Sequence, residues 1–419
     1  MKQYSSYKDS GVEWIGEIPS SWASVKMKHL VKICNGKDYK HIQLEDGGYP
    51  VFGTGGEFAR CSDYLCDKPS VLLGRKGTIN KPQIVWEPFW TSDTIYYTEI
   101  GDKILPIFFY HLVHQIPFHL FEYGSAIPSM TKTDYDEMRF PLPPLTEQDE
   151  IVSYLVEKTS QIDTLILTKN RKIGLLKDYR TSLINKVVTK GLNPNVEMKD
   201  SGVEWIGEIP KSWEIIPLRF IGSFQNGISK SSEYFGEGLP FMNYGDVYNN
   251  EITPITVLGK VQSTDEDRLK YSVLRGDVFF TRTSESKDDI GISSVCLKSL
   301  KDSVFSGFVI RFRFHENYHI PEFSRFHFQT KWKKHFIESK MNIVTRSSLS
   351  QNVLGKLPVL IPPPTEQQQI VSYLEEQTQK VDEEIRLEVR KIQLLKDYRT
   401  SLISNVVTGK INVQEEVMV

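Results

Sequence analysis

Twelve residues, KDSGVEWIGEIP at Lys8–Pro19, recur letter for letter at Lys199–Pro210, an offset of 199 − 8 = 191. A second stretch, LLKDYRTSLI at Leu175–Ile184, returns at Leu394–Ile403 with the larger offset 394 − 175 = 219. That larger offset also links TEQ at Thr146–Gln148 with Thr365–Gln367, and IVSYL at Ile151–Leu155 with Ile370–Leu374. The chain is therefore two tandem units, each an opening peptide, a variable block and a helical block, and duplication of this kind sets the architecture before any local reading. Between the shared ends, Ala23–Phe140 and Glu214–Pro358 barely resemble each other.

The helical blocks carry the stronger signal. After Pro143 and Pro144 the chain is free of proline to Lys190, with Thr146 suited to cap a helix; in the copy Thr365 and Gln368 have capping-box spacing. Steps of four and three pick out Leu155, Thr159, Ile162, Ile166, Lys169, Ile173, Leu176, Arg180, Leu183 and Val187. The copy gives Leu374, Thr378, Val381, Ile385, Glu388, Ile392, Leu395, Arg399, Leu402 and Val406. A 3.5-residue period held this long makes a coiled-coil seam, so each helix needs a partner. The economical arrangement packs the two helices on each other, parallel or antiparallel. Lys169 and Glu388, the one charge swap on the stripe, favour antiparallel, where they meet near the midpoint; the alternative is that both reach out to water. At ~1.5 Å per residue each helix spans roughly 60 Å, which suggests two heads on a helical strut. The repeated opening peptide is too short to fold alone and is expected to clip each unit onto the helix end of the other.

The heads read as mixed strand and helix. PSVLLGRKGTI, WTSDTIYYTEI, GDVFFTRT and GFVIRFRF read as strands, while residues 106–121 and 321–340 are amphipathic and expected to be helical. Asn35-Gly36 and Asn226-Gly227 read as turns. Arg75, after VLLG, corresponds to Arg282, after VFFT, and Ser129 corresponds to Ser348. His111, His114 and His119 lack acidic or cysteine neighbours that would make them metal ligands, and Cys34, Cys61, Cys66 and Cys296 are spaced as buried or incidental thiols.

Composition excludes several classes. With 39% hydrophobic and 25% charged residues among 419, the chain is an ordinary globular one. A net charge of −2 argues against coating nucleic acid through bulk charge, yet GRKGTINK at residues 74–81, TKWKKHF at 330–336 and VTRSSLS at 344–350 form local basic clusters. No apolar run has membrane-spanning length and the first residues lack an apolar secretion core, so a cytoplasmic location and no membrane partner are expected. A phosphate loop, a GxSxG elbow, an HExxH motif and a methyltransferase Asn/Asp-Pro-Pro-aromatic signature are all missing.

SGVEWIGEIPSSW and its copy, YPVFGTGG and GRKGTI in the first head, and above all PPLTEQDEIVSYL and PPPTEQQQIVSYL before the long helices resemble the DNA-specificity subunit of type I restriction-modification systems along essentially the whole chain. The resemblance implies an α+β protein with a pseudo-twofold internal repeat: two mixed α/β target recognition domains joined by two long helices packed as an antiparallel coiled coil. Residues 1–145 would be the first target recognition domain, 146–192 the first spacer helix, 193–364 the second domain, and 365–419 the second helix and tail. Each head would read one half of a bipartite, asymmetric site in double-stranded DNA. The chain would be non-catalytic and hold no cofactor or metal. Two methyltransferase subunits would bring S-adenosylmethionine, and restriction subunits would bring ATP and magnesium. The residues expected to touch DNA are Arg75, Lys76, Thr78, Ser129, Thr131 and Lys132 in the first head, and Arg282, Thr283, Ser284, Lys287, Arg346 and Ser348 in the second. Two other classes stay open: a two-headed scaffold that binds proteins, and a stand-alone DNA-modifying enzyme.

Overall fold

The computed structural model describes residues 3–121, 127–284, 289–316, 318–340 and 347–414. It forms two compact units, one of Met1–Asn170 with Val389–Val419, the other of Arg171–Glu388. The division therefore cuts both long helices, Leu145–Lys190 and Pro364–Val407, near their middles. Each helix begins one residue before its expected cap, so Thr146 and Thr365 lie inside the first turn. The first turn closes on prolines instead: Gln148 N donates to Pro144 O at 2.9 Å and Gln367 N to Pro363 O at 3.0 Å. Proline's fixed φ is already helical, so it costs little at this position.

In the first unit a four-stranded antiparallel sheet has the order Val31–Asn35, Ile95–Ile100, Ser70–Gly74, Gln83–Val85. A second sheet pairs Trp90–Thr91 in parallel with Tyr49–Gly53, which turns back as Gly56–Cys61. The second unit repeats the frame with different residues. Its antiparallel sheet runs Gly222–Asn226, Val309–Phe314, Val278–Thr281, Ser293–Val295, and Val304–Phe305 pairs in parallel with the end of Phe235–Met242.

Both cores are built on the long helices. In the first unit Phe108, Phe109 and Phe140 pack with Ile151, Leu155 and Ile162 near the start of the first helix and with Leu402, Ile403 and Val406 near the end of the second. The second unit mirrors this, joining Ile184, Val187 and Val188 of the first helix to Ile370, Val371 and Leu374 of the second. Start meets end in each unit, so the helices run antiparallel. The same charge pair marks the register twice: Asp163 lies 3.3 Å from Arg399, and Asp382 lies 3.1 Å from Arg180. None of the fourteen seam positions Leu155, Ile162, Ile166, Lys169, Ile173, Leu176, Leu183, Leu374, Val381, Ile385, Glu388, Ile392, Leu395 and Leu402 is exposed. Glu388 is buried on this stripe. In this register Glu388 falls nearest Gly174, so Lys172, two positions away, reaches its carboxylate at 3.1 Å and that of Glu384 at 2.6 Å.

The repeated peptides dock where the repeated motifs are. Trp22 is fully buried and donates from Nε1 to Glu147 Oε1 at 3.0 Å; Trp213 does the same to Glu366 Oε2 at 2.8 Å. Each peptide also meets the end of the other repeat's helix. Lys410 Nζ donates to Glu17 O, and Lys190 Nζ donates to Glu208 O at 2.5 Å. The buried amides of Gln148 and Gln367 complete the joint. Gln148 donates to Lys103 O and Pro143 O and accepts from Leu105 N, all within 2.8–2.9 Å. Gln367 donates to Tyr318 O and Pro362 O and accepts from Ile320 N at 2.7–2.9 Å. Three bonds on one buried amide anchor each long helix to its head, because losing the amide would strand backbone groups at about 1–3 kcal/mol each. The TEQ motif is thus a structural latch.

Candidate nucleic-acid interface

In each head the third strand of the sequence frame, Ser70–Gly74 or Val278–Thr281, runs out onto an arginine. Arg75 N donates to Thr94 O at 2.9 Å and Arg282 N to Phe308 O at 3.0 Å. The guanidinium then turns back on the same loop: Arg75 Nη1 donates to Asp93 O at 3.2 Å and Arg282 Nη1 to Gly307 O at 3.4 Å. On the far side each arginine carbonyl accepts a bond, from Met130 N at 3.0 Å and from Leu349 N at 2.7 Å. The neighbouring residues form an antiparallel bridge, Lys76 with Ser129 and Thr283 with Ser348. The structure thus brings Arg75, Lys76 and Ser129 together in one head, and Arg282, Thr283 and Ser348 at the corresponding place in the other.

The individual positions differ in what they can offer a ligand. Lys76, Ser129 and Lys132 are exposed, Arg75 and Thr78 half-buried; Arg75 also lies over the Tyr96 ring, 5.9 Å from its centroid. Thr131 is already engaged as the cap of the helix Lys132–Glu137, accepting from Asp134 N and donating to Asp134 Oδ2. Ser350, which corresponds to it, caps Gln351–Gly355 by accepting from Val353 N at 3.2 Å. In the second head Ser348 is exposed, Arg282 and Thr283 are half-buried, and Ser284 belongs to the short strand Thr283–Ser284. Lys287 and Arg346 lie outside the described residues.

Other readings are revised by burial. The expected basic face at residues 330–336 is broken, because Thr330, Trp332 and Lys333 are buried. Lys333 donates to Gly291 O at 2.9 Å and Ser293 Oγ at 3.0 Å, and burial brings its ammonium down to about 7. The helical register puts this lysine inward, which local charge cannot reveal. Asn35-Gly36 and Asn226-Gly227 are not simple turns. A Cβ on Gly36 would stand 1.9 Å from Ser92 O, and one on Gly227 2.2 Å from Ser306 O, so glycine permits a close backbone approach. His111 and His114 border a cleft with Tyr110 and Arg399; burial, with the neighbouring imidazole and guanidinium, lowers His111 to about 4. All four cysteines are free, and among the described residues no cluster of three or more His, Cys, Asp or Glu could hold a metal. Among those residues no helix is long and apolar enough to cross a membrane.

Sequence reasoning missed the loop that receives each arginine. Ser92 N donates to Phe52 O at 3.0 Å and Ser306 N to Met242 O at 2.9 Å, so WTSDTI and VFSGFV occupy the same place, residue for residue. The available signal was a serine three positions before the central strand in both heads.

Residues 19–175 and 210–396 match the protein family described as Type I restriction modification DNA specificity domain. Similar curated proteins include the Type I restriction enzyme MjaVIII specificity subunit of Methanocaldococcus jannaschii, 28% identical over 249 residues, which are 55% of this chain and 56% of that protein. The Type I restriction enzyme EcoKI specificity subunit of Escherichia coli is 23% identical over 262 residues, 60% of this chain and 53% of that one. The chain spans little more than half the length of these two relatives. A solved structure concerning complex assembly and conformational transition of the type I R-M system has a TM-score of 0.69 at 15% identity, covering 94% of this chain and 99% of that chain. The HsdS subunit from Thermoanaerobacter tengcongensis has a TM-score of 0.52 at 15% identity, over 94% and 98%. At that identity the likeness is one of fold.

Proposed function

This chain belongs to the family of type I restriction modification DNA specificity domains, and on that premise we propose that it is the sequence-reading subunit of a type I restriction-modification complex. Each head reads one half of a bipartite site in double-stranded DNA, and the antiparallel helices set the number of base pairs between the halves. The observation that carries this reading is the loop frame shared by the two heads: arginine and serine stand at the same places, Arg75 with Arg282 and Ser129 with Ser348, while the residues around them differ. A guanidinium can bond a guanine edge twice and a hydroxyl can take a phosphate, so one frame with different neighbours suits two different half-sites. Two weak contacts on one chain bind well only when both half-sites lie at the matching distance, because the second contact is then intramolecular.

The partners follow from the repeat. Leu175 and Tyr179 are exposed one helical turn apart, and so are their copies Leu394 and Tyr398. Identical apolar pairs presented twice suit two copies of one partner, here two methyltransferase subunits, with restriction subunits joining in the full complex. This chain positions and does not catalyse; S-adenosylmethionine is held by the methyltransferase partner, and ATP and magnesium by the restriction partner. The site of action is the cytoplasm.

The test is methylation mapping in cells carrying this chain and its methyltransferase partner, with residues 23–140 exchanged for another head. One half of the methylated motif changes and the other half and the gap stay. A motif that changes in both halves, or in neither, rejects the reading.

A further inference from the structure

Phe308 is an apolar ring held in the open. It is 61% exposed, yet the loop carrying it is fixed on every side. Ser306 N donates to Met242 O at 2.9 Å, Gly307 N to Ile228 O at 2.9 Å, Val309 N to Ser306 O at 3.0 Å, and Phe308 N to Ser306 Oγ at 3.3 Å. Gly307 is closely packed, since a Cβ there would lie 2.3 Å from Ser229 Oγ and 3.1 Å from Ile228 O. The Phe308 carbonyl accepts from Arg282 N, which places the ring's backbone directly beside the arginine of the reading frame. A hydrophobic side chain on a mobile loop could fold back and hide; on this loop its backbone cannot retreat. In the first head the corresponding residue is Thr94, half-buried, its hydroxyl 2.8 Å from Ser92 Oγ. One frame therefore presents an apolar group in one head and a polar one in the other.

Resting on the reading of each head as a DNA reader, we propose that Phe308 is a specificity-determining residue of the second head and selects the C5-methyl group of a thymine, while Arg282 beside it serves a separate base or phosphate. The thymine methyl is the one apolar group on a major-groove edge, and aromatic or aliphatic contact is how it is read. Phe308→Thr, which installs the first head's residue, is the direct test, with Phe308→Leu as the apolar control and Arg282→Ala as the control for the frame. Each variant is assembled with the methyltransferase partner and scored by methylation mapping and by competition binding to duplexes carrying uracil in place of each thymine of the second half-site.

Wild type and Phe308→Leu lose roughly tenfold in affinity at one uracil position, a single-position penalty, and Phe308→Thr is indifferent there. The first half-site is unaffected throughout. A second half-site without a selected thymine, or a Phe308→Thr chain that keeps the uracil penalty while Arg282→Ala degrades that half-site, overturns the assignment and leaves the DNA-reading function standing. If the head exchange, Arg282→Ala and Phe308→Thr all leave the motif as it was, the function itself is rejected along with it.

Discussion

The two heads share a frame and differ in what they bury. The first packs its sheet and helices with aromatic rings, Phe108, Phe109, Tyr135 and Phe140 among them. The second packs rings as well, Phe280, Phe312, Phe323, Phe326 and Trp332 among them, and adds buried cations and imidazoles: Lys333, Arg311, His319 and His327 are all buried, and Arg313 binds the fully buried Asp277 through two bonds of 2.6 and 2.7 Å. The close approaches that define the frame, at Gly36 and Gly227, are the same in both. The comparison separates what the architecture demands, a few backbone contacts and a latch, from what each head is free to vary.

The largest expected effect tests the shared part. Gly36→Ala and Gly227→Ala each drive a Cβ into backbone carbonyls that cannot move aside. Each should cost about 3 kcal/mol or more, the upper end of core overpacking, and destabilise its own head. Hydrogen exchange resolved by peptide should show the damage from Gly36→Ala in the first unit and from Gly227→Ala in the second; equal, mild effects from both would break the claim that the frame depends on these approaches.

The intermediate effect tests the difference. Lys333 has an ordinary unfolded value of 10.5 and is held near 7 when folded, so between those values the unfolded chain binds a proton that the folded chain has shed. Stability of the second unit therefore rises with pH across that window, by up to about 1.4 kcal/mol per pH unit. His319, lowered to about 4 by burial, acts in the same direction on the acid side, where stability falls as pH drops below 6.5 toward 4. Measured by urea unfolding with peptide-resolved exchange at pH 7, 8 and 9, the second unit gains stability with pH and Lys333→Met flattens the gain, with the first unit as internal reference. A wild-type slope unchanged in Lys333→Met contradicts the burial argument.

The smallest effect sharpens the comparison at the helix pair. Asp163 is exposed and Arg399 half-buried, with 41% of its side chain accessible, so Asp163→Asn should cost no more than about 1 kcal/mol. Arg180 is more buried and is also held by Glu251 at 3.2 Å, which takes Arg325 at 3.4 Å as well. Glu251→Gln leaves two partly buried guanidinium groups short of a counter-charge and should cost more, about 1–3 kcal/mol. Thermal unfolding of the two variants ranks them; the reverse order would mean that burial at Arg180 is not what distinguishes the two crossings.

Much of this was legible because repetition is a long-range signal written in local letters. The 3.5-residue stripe marked the seam, and the double TEQ located both latch points, although it could not show that glutamine was the working residue. The pairings of Arg75 with Arg282 and of Ser129 with Ser348 were visible because short apolar runs flank them. What stayed hidden depends on tertiary proximity. Nothing local in Trp90–Thr91 and Val304–Phe305 announces a parallel partner about forty or sixty residues upstream, so the loop bearing Thr94 and Phe308 could not be placed. That Thr131 also caps a helix was not evident, because a hydroxyl at a helix start and a hydroxyl at a binding loop are spelled alike. Lys333 looked like surface because charge predicts exposure until packing overrides it.

Neither compact unit is closed by one uninterrupted stretch of its own repeat, and this has a consequence for how the chain is born. The first head, Met1–Asn170, takes Leu402, Ile403, Val406 and Val413 into its core. At ribosomal speeds the roughly 240 residues in between take on the order of 12–50 s to appear. For that interval the earlier-made head waits with an uncovered apolar flank, while the later-made unit, contained within Arg171–Glu388, has every residue it needs first. Completion thus runs against the direction of translation, and a nascent chain stalled near its end would leave its oldest part, not its newest, in the care of chaperones.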